Sequence, residues 1–198
     1  MDAESLDDYN QKVRSMDASQ KIIIYCMGAL NKPVENKDSI QKILFLTSRE
    51  LPDLFKDLFT FQKNKNGPYS ERIDEDVSIM SESGYIAGSQ FGLSNEGHRI
   101  FEEIGKCLKD PLKTAISKNK EFVCGLTEEE LLTFIYIISP EYTENSEVWD
   151  KIKPNRVKNA VSLVKKEKIT ASQAARIAGM SYYDFEKILS EQKIRWKS

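Results

Sequence analysis

The chain has 198 residues, of which 40% are hydrophobic and 30% charged, and its formal net charge is −2. These values describe a soluble globular protein that can bury a core as one domain or as two small ones. The longest apolar runs, Ile22–Leu30 and Leu131–Ile138, are too short to span a membrane. The acidic start, MDAESLDDYNQ, is unlike a signal peptide. The three cysteines are widely spaced, so we expect buried, reduced thiols in a cytoplasmic protein.

The charges are distributed unevenly along the chain. Residues 151–198 contain 12 Lys or Arg and 4 Asp or Glu, a balance of +8. Residues 1–150 therefore carry 17 basic and 27 acidic residues, a balance of −10. A basic segment of this kind indicates a polyanionic partner such as DNA.

Residues 1–18 have no usable periodicity and are predicted to be a flexible arm or a loose helix. Three helices are then predicted before residue 60, beginning at the capping boxes Asp17/Gln20 and Asp38/Gln41 and at Pro52. The first of them runs to about Leu30 and is apolar nearly all round, so we expect it at the centre of a core.

The next stretch has the order of a winged helix. Asn66-Gly67-Pro68 predicts a turn, Ser70–Glu82 a helix, and Tyr85–Ser89 with Phe91–Leu93 a small β-hairpin. Ser94 then caps another helix. We therefore predict a winged-helix-like domain over residues 19–120 in a mainly α-helical protein.

The helix Ser70–Glu82 is too acidic to enter a DNA groove, because phosphates would repel it. We instead expect it to contact a basic protein partner such as a toxin, and a solvated face without a partner is the alternative. The carboxylates assigned to this contact are Glu71, Asp74, Glu75 and Asp76.

Residues 20–110 resemble the winged-helix domains related to the Panacea (SocA-like) antitoxins. The resemblance lies in IQKILFLT at residues 40–47, in Asn66-Gly67-Pro68-Tyr69-Ser70 before an acidic helix, and in Gly84-Tyr85-Ile86 after it. It implies a regulatory or toxin-neutralising domain that works through protein contacts.

A helical connector is predicted over residues 121–153, where Thr127 and Glu130 form a capping box before an apolar run. Pro154-Asn155 marks the start of a basic domain over residues 154–198. Its first helix has Val157, Val161 and Val164 on one face.

Residues 170–189, TASQAARIAGMSYYDFEKIL, have the pattern of a helix-turn-helix. The pairs Thr170/Gln173 and Ser181/Asp184 predict two capped helix starts. Gly179 between them suits the left-handed conformation of a tight turn. An ordinary helical hairpin in a bundle is the alternative.

In a helix-turn-helix the second helix enters the major groove and the first crosses the backbone. We predict DNA contacts on the outer faces of both helices and on the lysines before them: Ser172, Gln173, Arg176, Ser181, Tyr182, Tyr183, Lys187, Lys165, Lys166 and Lys168. The two tyrosines could instead be packing residues.

Residues 156–194 resemble short prokaryotic helix-turn-helix proteins that are regarded as antitoxins. The matching residues are Lys168-Ile169-Thr170, the run from Ala174 to Ser181, and Phe185. The resemblance implies DNA binding and autoregulation.

We therefore predict a DNA-binding transcriptional regulator, in its specific form an antitoxin-type autoregulator, that binds double-stranded DNA as a homodimer and does not bind membranes. The alternative is a protein-interaction module that uses the acidic helix and binds no DNA. An enzyme is not expected, since His98 is the only histidine and no catalytic or phosphate-binding motif is present. No cofactor and no metal site are predicted.

Overall fold

The computed structural model describes the backbone of residues 3–87, 91–144 and 146–196, with side chains from Asp8 onward. In chain order the helices are α1 (Ala3–Ser15), α2 (Ala18–Gly28), α3 (Lys37–Glu50), α4 (Pro52–Phe55), α5 (Glu71–Glu82), α6 (Asn95–Cys107), α7 (Asp110–Cys124), α8 (Glu128–Ile138), α9 (Trp149–Ile152), α10 (Arg156–Lys165), α11 (Ala171–Ala178) and α12 (Tyr182–Glu191). The strands are β1 (Gln62–Asn64), β2 (Gly67–Tyr69), β3 (Ile86–Ala87) and β4 (Gly92–Leu93). The predicted fold class, mainly α with a small antiparallel hairpin, is confirmed.

The chain divides into two compact units, one formed by Met1–Phe61 with Ser70–Cys124 and the other by Gln62–Tyr69 with Gly125–Ser198. The β3–β4 hairpin belongs to the first unit and the β1–β2 hairpin to the second. The predicted strand Tyr85–Ser89 extends into residues 88–90, which lie outside the described residues.

Helix α2 forms the centre of the first unit, as its apolar sequence predicted. Ile23, Ile24 and Cys26 are fully buried, and α2 contacts α3, α5, α6 and α7. The predicted capping box is present, with Asp17 N–H donating to Gln20 Oε1 over 3.2 Å. Residues 3–15, where an arm or a loose helix was expected, form α1, which packs against α6.

Two local predictions in this unit were wrong. Asn36, not Asp38, caps α3, and Gln41 instead exchanges two hydrogen bonds with the backbone of Ser70. Only one cysteine is buried, since Cys107 and Cys124 are exposed.

The acidic helix α5 is less acidic at its surface than the sequence predicted. Asp76 is 1% exposed, because Arg72 Nε donates to its carboxylate over 2.9 Å and Gln20 Nε2 over 3.4 Å. Asp74 forms an ion pair with Lys37 at 2.6 Å. Glu71 and Glu75 are exposed.

In the second unit α10 is the central helix and packs against both α8 and α11. Ala160 and Leu163 are fully buried there, and Val161 and Val164 nearly so. The β1–β2 hairpin joins this unit through ion pairs of Lys63 with Glu144 and of Lys65 with Glu147.

The buried carboxylate of Glu130 connects α8 to α10. It accepts hydrogen bonds from Lys166 Nζ at 2.6 Å, Ser162 Oγ at 2.5 Å and the backbone N–H of Thr127 at 2.8 Å. Burial alone would raise the pKa of Glu130, but these three donors outweigh it and hold the pKa below its ordinary value of 4.5. Glu130 is therefore ionised at neutral pH and stabilises the contact between the two helices.

We expect Glu130→Gln to lower the free energy of unfolding by about 1–3 kcal/mol at pH 7, because the charged acceptor of a buried network is lost. The pKa of Glu130 is lower in the folded protein than in the unfolded chain. The extra unfolding free energy of the wild type is therefore fully present above pH 4.5 and is lost as the pH falls through the folded pKa. Urea unfolding at pH 7 and at successively lower pH measures this difference.

Glu128→Gln, an exposed carboxylate on the same helix, is the matched control and should change stability by less than about 0.5 kcal/mol. Equal effects of the two substitutions, or a difference independent of pH, would contradict the role given to Glu130.

Candidate nucleic-acid interface

Helix α11 begins at a complete capping box, as predicted. The N–H of Thr170 donates to Gln173 Oε1 over 2.9 Å, and the N–H of Gln173 donates to Thr170 Oγ1 over 3.2 Å. Ala174, Ala175 and Ala178 are at most 2% exposed, and the helix packs against α10 and α12. Small side chains on this face allow neighbouring helices to approach α11 closely.

The turn after α11 is built on Gly179, whose φ of 70° lies in the left-handed region. The N–H groups of Gly179 and Met180 close the end of the helix on carbonyls of its last turn. Helix α12 then starts at Ser181, whose Oγ accepts from the N–H of Asp184 over 3.1 Å and donates to its carboxylate over 2.5 Å. Phe185 and Leu189 of α12 are fully buried.

Arg156 covers this turn, a contact that the sequence reading missed. A Cβ atom added to Gly179 would lie 2.5 Å from Nη2 of Arg156 and 2.6 Å from its Cζ. The guanidinium therefore lies against the glycine, near the carbonyl end of α11, where a positive charge is favourable. Residues 156 and 179 are far apart in sequence, so no local pattern could have paired them.

The predicted contact residues on α11 and α12 are exposed together. The exposed side chains on this helix pair are Ser172, Gln173, Arg176, Ser181, Tyr182, Tyr183 and Lys187. Tyr183 is 75% exposed and Tyr182 40%, so neither tyrosine is a packing residue of the core.

The three lysines predicted before the motif differ in their surroundings. Lys166 is committed to Glu130 and to the carbonyl of Gly125. Lys165 is exposed and Lys168 is half-buried. Of the two neighbours Lys165 and Lys166, we therefore expect Lys165 to be the better placed for an external anion.

The other predicted set, on α5, lies in the first unit, and only part of it is open to solvent. Glu71 and Glu75 are exposed, Asp74 pairs with Lys37, and Asp76 is buried. Across residues 3–87, 91–144 and 146–196, no three His, Cys, Asp or Glu side chains are grouped to hold a metal ion. No helix in the described part of the chain is long and apolar enough to cross a membrane.

Comparison with known proteins matches the C-terminal part of the chain to a protein family. Residues 148–198 match the uncharacterised protein family UPF0175. The matched segment contains α9 to α12 and so includes the helix-turn-helix candidate. No curated protein and no solved structure matches the chain. The resemblance of residues 20–110 to Panacea-type winged-helix domains stays a prediction.

We expect Gly179→Ala to destabilise the second unit by about 1–2 kcal/mol, the ordinary cost of a left-handed non-glycine residue, and further by loss of the Arg156 contact, because the new methyl group displaces the flexible end of that side chain. Part of that loss should be recovered in the Arg156→Ala background. A double-mutant cycle followed by urea unfolding measures the recovery.

Gly84→Ala is the matched control, since Gly84 has a φ of 76° but nothing within 4 Å of an added Cβ. It should show the backbone cost alone. Strictly additive effects of Gly179→Ala and Arg156→Ala would contradict the contact.

Proposed function

We propose that this protein is a DNA-binding transcriptional regulator that holds double-stranded DNA with α11 and α12. The observation that carries the proposal is the division of this helix pair into two faces. Phe185, Leu189 and the alanines of α11 are buried, while the residues predicted to contact DNA are exposed on the same two helices. An ordinary structural hairpin has no need of an outer face with two exposed tyrosines and two exposed cations.

The chemistry of the exposed side chains suits a duplex. Arg176 on the first helix can bond backbone phosphates, and Lys187 on the second can reach a phosphate or a guanine. Tyr182 and Tyr183 stand at the start of α12, the end that reaches base edges in a helix-turn-helix. Their rings can contact thymine methyl groups and their hydroxyls can bond phosphates.

The acidic residues of α12 do little to oppose this role. Asp184 is bonded to Ser181 at the helix start. Glu186 is half-buried, and the exposed Glu191 is the last residue of the helix, at the end opposite the proposed base contacts. The surrounding segment keeps its balance of +8 between residues 151 and 198, and a positive surround supplies most of the non-specific attraction to DNA.

Each helix pair reads only a few base pairs, so we expect a homodimer on two half-sites. The specific form we propose is an antitoxin-type autoregulator. Its support is the resemblance of residues 156–194 to short helix-turn-helix antitoxins, together with the family match to the same segment. The protein would act by binding and not by catalysis.

A second candidate function is neutralisation of a basic protein partner through α5. Ile79 favours it, since this side chain is 48% exposed on the helix that carries the exposed carboxylates Glu71, Glu75 and Glu82. An apolar side chain among exposed carboxylates suits a partner surface that is both basic and apolar.

The primary proposal is tested with Arg176→Ala/Lys187→Ala. Loss of two phosphate or base contacts should weaken duplex binding by about 10- to 100-fold and lower the slope of log K against log salt by about two. Fluorescence anisotropy with a labelled duplex at several salt concentrations measures both quantities.

Lys32→Ala/Lys109→Ala removes the same charge from exposed positions of the first unit and is the matched control. It should leave the slope unchanged. No duplex binding by the wild-type chain at low salt, or equal losses in the two double variants, would overturn the proposal.

The neighbouring residues Lys165 and Lys166 give a finer test. Lys165→Ala should lower the salt slope by about one and leave stability nearly unchanged. Lys166→Ala should mainly destabilise the protein, because it leaves Glu130 buried without its cation. The reverse pattern would contradict the separate roles given to these two lysines.

A further inference from the structure

The last described residues of the chain are folded back onto the second unit. Lys193, just after α12, has a φ of 54°, and its N–H donates a hydrogen bond to the carbonyl of Ser190. The N–H of Ile194 then bonds the carbonyl of Leu189 over 3.0 Å, and the Ile194 side chain is only 9% exposed. This buried isoleucine fixes the direction of Arg195 and Trp196, which follow it.

Arg195 and Trp196 line a cleft of about 290 Å³. The same cleft is lined by Thr170 and Gln173 at the start of α11 and by the apolar side chain of Ile169. Gln173 is thus shared between the cleft and the predicted DNA face. Its carbonyl oxygen is held by Thr170, which leaves its amide N–H groups as donors.

The cleft presents donors that suit a phosphate diester. Arg195 is exposed at its rim, and no ion pair joins it to a carboxylate in the described part of the chain. Guanidinium, ammonium, indole N–H and amide N–H groups all donate to phosphate oxygens. Glu167 also lines the cleft and is the group there that opposes an anion.

Resting on the proposed function, we infer that this cleft is a second phosphate-binding site for the same duplex, held by Arg195 and Trp196. A DNA strand whose backbone runs from the N-terminal end of α11 toward α12 passes the mouth of the cleft at Gln173. Arg195 and Trp196 then bind the DNA strand outside the base pairs that α12 contacts. This contact adds affinity and fixes orientation without reading bases.

The inference is tested in the full chain with Arg195→Gln and Glu167→Gln, substitutions of opposite charge in one cleft. Arg195→Gln should weaken duplex binding about three- to tenfold and lower the salt slope by about one. Glu167→Gln should strengthen binding about two- to threefold, since it removes repulsion from the phosphate. Lys193→Gln, two residues from Arg195 but outside the cleft lining, should have the smaller effect.

Trp196 supplies a readout of occupancy that does not depend on affinity. It is one of two tryptophans, so in a Trp149→Phe background the emission reports the cleft alone. Duplex addition should change that emission and saturate with the binding curve.

The possible outcomes separate the two proposals. Suppose that the wild-type chain binds the duplex. Equal losses of affinity in Arg195→Gln and Lys193→Gln, or an unchanged Trp196 emission, would then overturn the cleft site and leave the helix-turn-helix proposal intact. No duplex binding by the wild-type chain would overturn both.

Discussion

The second unit depends on one buried carboxylate. Glu130 accepts hydrogen bonds from the ammonium group of Lys166, the hydroxyl of Ser162 and the backbone N–H of Thr127. Ser162 lies in α10, Lys166 directly follows that helix, and Thr127 directly precedes α8. A buried charge is costly unless such partners meet it, so the arrangement holds only when α8 lies correctly against α10. Asn159 and Thr133 extend the contact with a buried hydrogen bond of 2.8 Å. Together these bonds specify one alignment of two helices whose apolar faces would tolerate several.

That alignment positions the helix-turn-helix candidate. Helix α10 also packs against α11, where alanine side chains permit a close approach. Arg156, at the start of α10, lies against Gly179 in the turn that leads to α12. The orientation of α12 is thus determined by two features, the turn that precedes the helix and the burial of Phe185 and Leu189. Residues that make no contact with DNA in our proposal therefore control how its contact residues are presented.

The sequence predicted best what depends on residues three or four apart. The capping boxes at Thr127 and Thr170 were read correctly because a side chain and the amide it bonds lie within one turn. Long-range polar pairs were out of reach. Besides its neighbour Arg72, four residues away, Asp76 accepts a hydrogen bond from Gln20, and the partner of Gln41 is Ser70. Neither of these two long-range pairs leaves a periodic signal. For the same reason nothing in residues 62–69 signals that this hairpin belongs with residues 125–198.

The candidate site shows the same division. Exposure of the outer faces of α11 and α12 followed from helical periodicity. The cleft at Arg195 and the contact of Arg156 with Gly179 join residues that are far apart in the sequence, so no local pattern predicts them. The most direct test of the account is amide NMR of the full chain titrated with a duplex. We expect shift changes concentrated in residues 165–196 and absent from α5. Changes confined to α5, or no changes at low salt, would contradict the claim that α11 and α12 bind DNA.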